Sequence, residues 1–215
     1  MLDTVTRWEE LGVFEEIYRE ARQRIVGLTM GLTADELART VPACPEWTVH
    51  QVIAHLSGES SDLVTGRMEG APSDEWTARH VAEREGVPVQ DLLEQWNVFG
   101  EQISEMPRLP FQLALDAITH EADLRAALGR ERLPDTVWQP TLVWMAPRVL
   151  TDVTVKTDFG DLGDGPITLE VEGYELWRAF FGRRSRRQME SWNWSDPSPI
   201  EKISFFPTRE TDLVE

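Results

Sequence analysis

Residues 41–59 read VPACPEWTVHQVIAHLSGE, and this stretch decides the fold. Thr48 is followed three residues later by Gln51, the spacing of a capping box that opens a helix. Val49, Val52, Ile53 and Leu56 then recur at helical intervals, so one face of that helix is apolar. His55 lies at the margin of this face and can point inward with it. The preceding segment VPACPEW, with two prolines, reads as a loop.

Working outward, a first amphipathic helix is predicted from about Trp8 to Leu28, with Leu11, Phe14, Ile17, Tyr18, Ala21, Ile25 and Leu28 apolar at helical spacing. LTADELART is a short helical stretch capped by Thr33. GRMEGAPSDEW is rich in Gly, Pro and Ser and reads as a loop, and His80 in the charged stretch after it is expected to be exposed. A further helix runs from about Pro88 to Glu105, with Leu92, Leu93, Trp96, Phe99 and Ile103 apolar. Pro107 and Pro110 interrupt it. The next helix spans about Phe111 to Leu128, and Gly129 supplies its stop.

Beyond Gly129 the texture changes. ERLPDTVWQPTLVWMAP is punctuated by prolines, and VLTDVTVKTD and ITLEVEG alternate with the period of strands around the turn-rich FGDLGDGP. YELWRAFFGRRSRRQME is helical in two pieces around Gly182. Trp47 and Trp96 are expected in the core, and Trp192 and Trp194 to pack the Pro- and Ser-rich tail onto the helices. The expected architecture is mainly α: an antiparallel helical bundle over residues 1–141, then a small α/β domain over 142–215.

The chemistry centres on Asp116 and His120. Four residues at about 100° each put both side chains on one helix face, a turn apart. The inward stripe is Leu113, Ala117, Leu124 and Leu128; His120 falls within it and Asp116 on its edge. A carboxylate and an imidazole aimed at a core need partners. His55 offers a complement from another helix. Two imidazoles and a carboxylate are a three-ligand set suited to a catalytic zinc with one position open. Spacing alone equally allows a surface Asp–His hydrogen bond and a satisfied core histidine. Asp123 either orients a ligand from behind or faces solvent. In the RRSRR cluster, the arginines form either an anion site or a solvated helix end paired with acidic residues.

Composition narrows the classes. The formal charge is −17, from 38 acidic and 21 basic residues, which disfavours nucleic acid and anionic membranes as partners. No apolar run approaches the roughly 20 residues that span a bilayer. The acidic N-terminal segment lacks an apolar signal core, and the single Cys44 suits a reducing compartment. A cytoplasmic protein, monomer or homodimer, is expected.

The segment VPACPEWTVHQVIAHLSGE resembles the signature of the mycothiol-dependent maleylpyruvate isomerase family, within the DinB-like metalloproteins. LDAITHEADLRAALG (residues 115–129) looks like the family's second metal motif, and WRAFFGRRS (177–185) like its Gly-Arg motif. The resemblance implies a DinB-like four-helix bundle followed by a domain similar to a sterol-carrier fold. It implies a divalent metal, zinc or another, held by His55, Asp116 and His120. It further implies mycothiol or a similar low-molecular-weight thiol as cofactor, a small electrophile as substrate, and isomerase or S-transferase chemistry. Arg183, with Arg184 beside it, is the residue expected to grip substrate or cofactor carboxylates, and Cys44 is a structural loop position. One departure stands out: Asp116 occupies the place where the characterised isomerases carry glutamate. A non-catalytic metal- or ligand-binding DinB-like protein is the alternative, and a purely structural interaction protein a third.

Overall fold

The computed structural model describes residues 12–106 and 109–215. Trp8 and Leu11 of the expected first helix, and Pro107, lie outside them. The chain divides into two compact units, Met1–Arg132 and Leu133–Glu215.

Four long helices build the first unit: α1 (Val13–Thr29), α3 (Val49–Thr65), α5 (Val89–Ser104) and α6 (Phe111–Ala127). Helix α3 packs against α5 and α6, and α1 against the same two, so the four close into a bundle. Ile25, Val52, Ile53, Leu56, Trp96 and Leu124 meet in its core. Thr48 and Gln51 form the expected capping box at the start of α3, each accepting from the other's backbone N–H. Buried polar groups also cross the bundle. Trp96 Nε1 donates to Tyr18 Oη at 2.9 Å, and Tyr18 shares a 2.8 Å hydrogen bond with Ser60 Oγ. Glu121, fully buried on α6, receives Arg24 from α1 and Arg125 from its own helix.

Two smaller features differ from expectation. The segment read as a loop before α3 contains a two-stranded antiparallel hairpin, β1 (Thr40–Val41) and β2 (Cys44–Thr48), which follows the short α2 (Ala34–Leu37). A strand with a free edge tolerates Pro45, whose missing N–H is needed only in a two-sided ladder. The segment read as a loop with an exposed His80 contains helix α4 (Asp74–Glu83), capped by Ser73. Only Trp76 and His80 of α4 are buried, too short a stripe for periodicity to detect. That packing reverses the expectation for His80, which is 0% exposed.

The second unit opens with α7 (Asp135–Val149), a helix despite Pro140 and Pro147. Each proline removes a helical N–H donor. Burial of Trp138, Leu142, Met145 and Val149 along one stripe supplies the compensating stabilisation. The 141/142 boundary expected from sequence falls inside this helix. A four-stranded sheet follows in the order β4 (Gly160–Leu162), β3 (Val153–Thr157), β5 (Ile167–Glu170), β6 (Asn193–Trp194), with β3 and β5 parallel and the outer pairs antiparallel. Trp194 joins this sheet, opposite Leu169. Helices α8 (Gly173–Phe180) and α9 (Arg186–Glu190) flank Gly182, whose φ of 69° is the left-handed turn that ends the first and allows the second. Among the described residues no helix is long and apolar enough to cross a membrane.

Candidate metal centre

His55 comes from the middle of α3, and Asp116 and His120 from consecutive turns of α6. The two helices pack directly on each other, and one ligand atom from each of the three residues lies within 4.8 Å of the other two. His55 Nε2 stands 3.3 Å from Asp116 Oδ2, and His120 Nε2 stands 3.6 Å from Asp116 Oδ1. Ligand atoms bonded to a tetrahedral zinc at about 2.0–2.1 Å sit about 3.3 Å from one another. The donor set therefore fits a zinc-sized cation in both type and spacing. Both histidines are buried, while the Asp116 side chain keeps 33% of its surface exposed, so the cluster meets solvent at Asp116. Trp47, from β2, lies over the two imidazoles with ring centroids 5.0 and 6.2 Å away.

Each histidine is backed by further polar groups. His120 Nδ1 lies 3.1 Å from Asp123 Oδ2, one turn along the same helix, and Asp123 is fully buried rather than facing solvent. Cys44 Sγ approaches the same Asp123 oxygen at 3.8 Å. Burial alone would lower the His120 imidazole, but Asp116 and Asp123 beside it raise it well above its ordinary range. Behind His55 stands His80, with the two Nδ1 atoms 3.2 Å apart. His80 Nε2 in turn lies 3.1 Å from Asp62 Oδ2, which also accepts from Arg79 Nη2 at 2.5 Å. Burial opposes ionisation of Asp62, yet the Arg79 and His80 hydrogen bonds and the Arg67 charge hold its carboxyl below the usual range. Burial, and then the His55 ring, push the His80 imidazole down to about 4, so it is neutral near pH 7.

Sequence reasoning missed Glu59, Asp62 and His80. Glu59 follows His55 by one turn and sits beside Asp116; burial first, then the Asp116 charge, hold its carboxyl well above the usual range. His55, Glu59 and Asp62 are spaced i, i+4, i+7, so α3 carries a polar stripe within a helix that is otherwise mostly buried. That spacing was visible in HLSGESSD. Gly58 was a second signal: a Cβ there would lie 2.5 Å from His80 Cβ, so only glycine lets α4 approach this closely.

The arginine cluster resolves within the second unit. Arg184 is buried, and Glu175 takes its Nε and Nη2 at 2.5 and 2.7 Å while Glu215 lies at 3.3 Å. Glu175 and Glu215 thus take the Arg184 donors that the family resemblance offers to a substrate or cofactor carboxylate. Arg186 pairs with Glu190 and Glu201, and Arg187 with Asp212. Arg183 is half-buried and donates from Nη1 to the Phe181 carbonyl at 2.8 Å.

The four-helix bundle and the small sheet region that follows it in the chain are those of a DinB-like fold. Residues 18–156, well over half the chain, match the mycothiol maleylpyruvate isomerase N-terminal domain, and the chain belongs to this family. The matched span continues past Arg132 into α7 and β3. Two solved structures are similar. One is a mycothiol-dependent maleylpyruvate isomerase, 11% identical with a TM-score of 0.56, covering 86% of this chain and 92% of that one. The other is a histidine-to-alanine variant described under the same enzyme name, 10% identical with the same TM-score and coverage. No curated protein matches the chain.

Proposed function

We propose that this protein is a cytoplasmic, zinc-dependent enzyme that uses mycothiol or a similar low-molecular-weight thiol to isomerise, or transfer sulfur to, a small electrophile of the maleylpyruvate type. The observation that carries the reading is the convergence of His55, Asp116 and His120 within 4.8 Å, with Asp116 facing solvent. His55 and His120 would hold the metal through Nε2 and Asp116 through its carboxylate, leaving the solvent side for a fourth ligand. A metal and a thiol bound there would supply a sulfur nucleophile near neutral pH, the chemistry needed for reversible addition to a conjugated double bond.

The chain's own residues orient, shield and move protons. Asp123, its carboxylate oxygen 3.1 Å from His120 Nδ1, would hold that ring's Nε2 toward the site. Trp47 covers the imidazoles and keeps water from their flank. Glu59, whose carboxyl burial and the Asp116 charge hold well above the usual range, keeps a proton more readily than an ordinary carboxylate and is the proposed proton-handling group beside Asp116. Arg183, by its place in the Gly-Arg motif, is the proposed anion-gripping residue; Arg184 anchors the same turn through Glu175. The half-buried Cys44, with the buried Asp123 and His120, forms a second group that could accept a cation. The Asp123–His120 contact favours a supporting role for it.

Calorimetric titration of zinc into metal-stripped protein, followed by mycothiol, tests the proposal. One zinc per chain is expected, with thiol binding only to the zinc form. No stoichiometric zinc uptake overturns the metal centre. Zinc uptake without thiol binding overturns the catalytic reading and leaves a non-catalytic metal-binding protein.

A further inference from the structure

We propose that Asp62 and His80 are positioning residues that fix His55 in its Nδ1–H form and thereby present its Nε2 lone pair to the cation site. This inference rests on the metal reading above, and it follows from the direction in which each hydrogen bond must run.

The chain starts at Asp62, whose carboxylate is 1% exposed and lies 2.5 Å from Arg79 and 3.6 Å from Arg67. An ionised carboxylate only accepts. His80 Nε2, 3.1 Å away, must therefore carry the proton of that contact. A cation on His55 Nε2 leaves that ring's one proton on Nδ1, and an Nδ1–H facing His80 Nδ1 at 3.2 Å requires that nitrogen to be bare. His80 Nδ1 is thus an acceptor, and the His55 Nδ1 that faces it at 3.2 Å must donate. The proton on Nδ1 leaves Nε2 of His55 with a lone pair. That atom points at Asp116 Oδ2 across 3.3 Å, one acceptor facing another. A cation held jointly by both atoms satisfies that pair.

The surrounding structure is built to keep this relay in place. All three groups are buried, so water cannot take over either link. Gly58 admits the His80 ring against α3, and Trp76 meets that ring edge-on with centroids 4.2 Å apart. Arg67 and Arg79 neutralise Asp62 from the outer side, so the relay runs from two guanidinium groups, through a carboxylate and two imidazoles, to the ligand position.

Two measurements test the assignment together. In wild-type protein with ¹⁵N-labelled histidine, a scalar coupling between the two Nδ1 atoms is expected, with the shared proton covalently bonded to His55. A proton bonded to His80 Nδ1 overturns the proposal, and this measurement requires no variant to fold. In zinc competition titrations, His80→Phe keeps a flat ring but has no acceptor and should weaken binding roughly 10–100-fold. His80→Gln, whose amide oxygen can accept from His55, should regain most of that loss. Unchanged affinity in His80→Phe overturns the relay while leaving the metal centre standing. Failure of the wild-type protein to bind zinc overturns the metal reading itself.

Discussion

His120 and His55 stand side by side at the candidate metal centre, yet they are braced in different ways. His120 is held by Asp123, three residues further along α6, through one direct contact of 3.1 Å. His55 is held by His80 on α4, and His80 by Asp62 on α3, so its support leaves the helix and returns to it. The first brace needs only helical geometry, because residues three apart share a face. The second exists only if α4 packs within reach of α3, and that depends on the absence of a side chain at Gly58. A local brace survives any change that keeps its helix; a non-local one fails when the packing shifts.

Several experiments break or sharpen this contrast. The largest effect is expected from the proposed ligands themselves: Asp116→Ala or His120→Ala should lose more zinc affinity than the roughly 100-fold that a supporting partner is worth, read by competition with a chelator. Next comes Gly58→Ala. The added methyl would meet His80, so overpacking should cost about 1–3 kcal/mol by urea unfolding and should weaken zinc binding as His80→Phe does. Asp123→Asn acts on the local brace alone. It should weaken zinc binding within the roughly 10–100-fold range without the stability loss at α4, and a matching loss there would erase the distinction drawn here.

A pH test isolates the non-local brace in metal-free protein. His80 titrates near 4 when folded and near 6.5 when unfolded, so the unfolded chain binds more protons between those values. Its contribution to stability is complete above about pH 6.5 and is lost as the pH falls through about 4. Urea midpoints should therefore fall over that window in the wild type, and less so in His80→Phe. His120 has the opposite sign: its raised value makes its contribution complete below the ordinary imidazole range and lost on the alkaline side. The smallest effect is expected for Cys44→Ser, below about 1 kcal/mol in zinc binding, since its thiol meets Asp123 and not the Asp116 side. A large loss in that variant would move the cation to the other face of His120.

Much of the bundle was legible because its helices announce themselves locally. The Thr48–Gln51 box, the apolar stripe of α3 and the Gly129 stop after α6 all depend on residues within a turn of one another. The Asp116–His120 pair was legible for the same reason. Helix α4 was not, since two buried residues in ten make no readable period. Helix α7 was obscured by two prolines whose local cost is met by tertiary burial of Trp138 and Met145. Arg184 looked like an anion site in sequence because Glu175 and Glu215, which fill its donors, lie 9 and 31 residues away.

The sequence by itself determined which side chains could serve as ligands and which helices would carry them, because spacing along a helix is a local property of 3.6 residues per turn. Only the tertiary structure decided that His80 is buried, that it meets His55, and that Asp62 stands behind both. Those contacts join residues 18 and 25 positions apart, and the energy that holds them comes from packing helices together rather than from any one helix's own preferences.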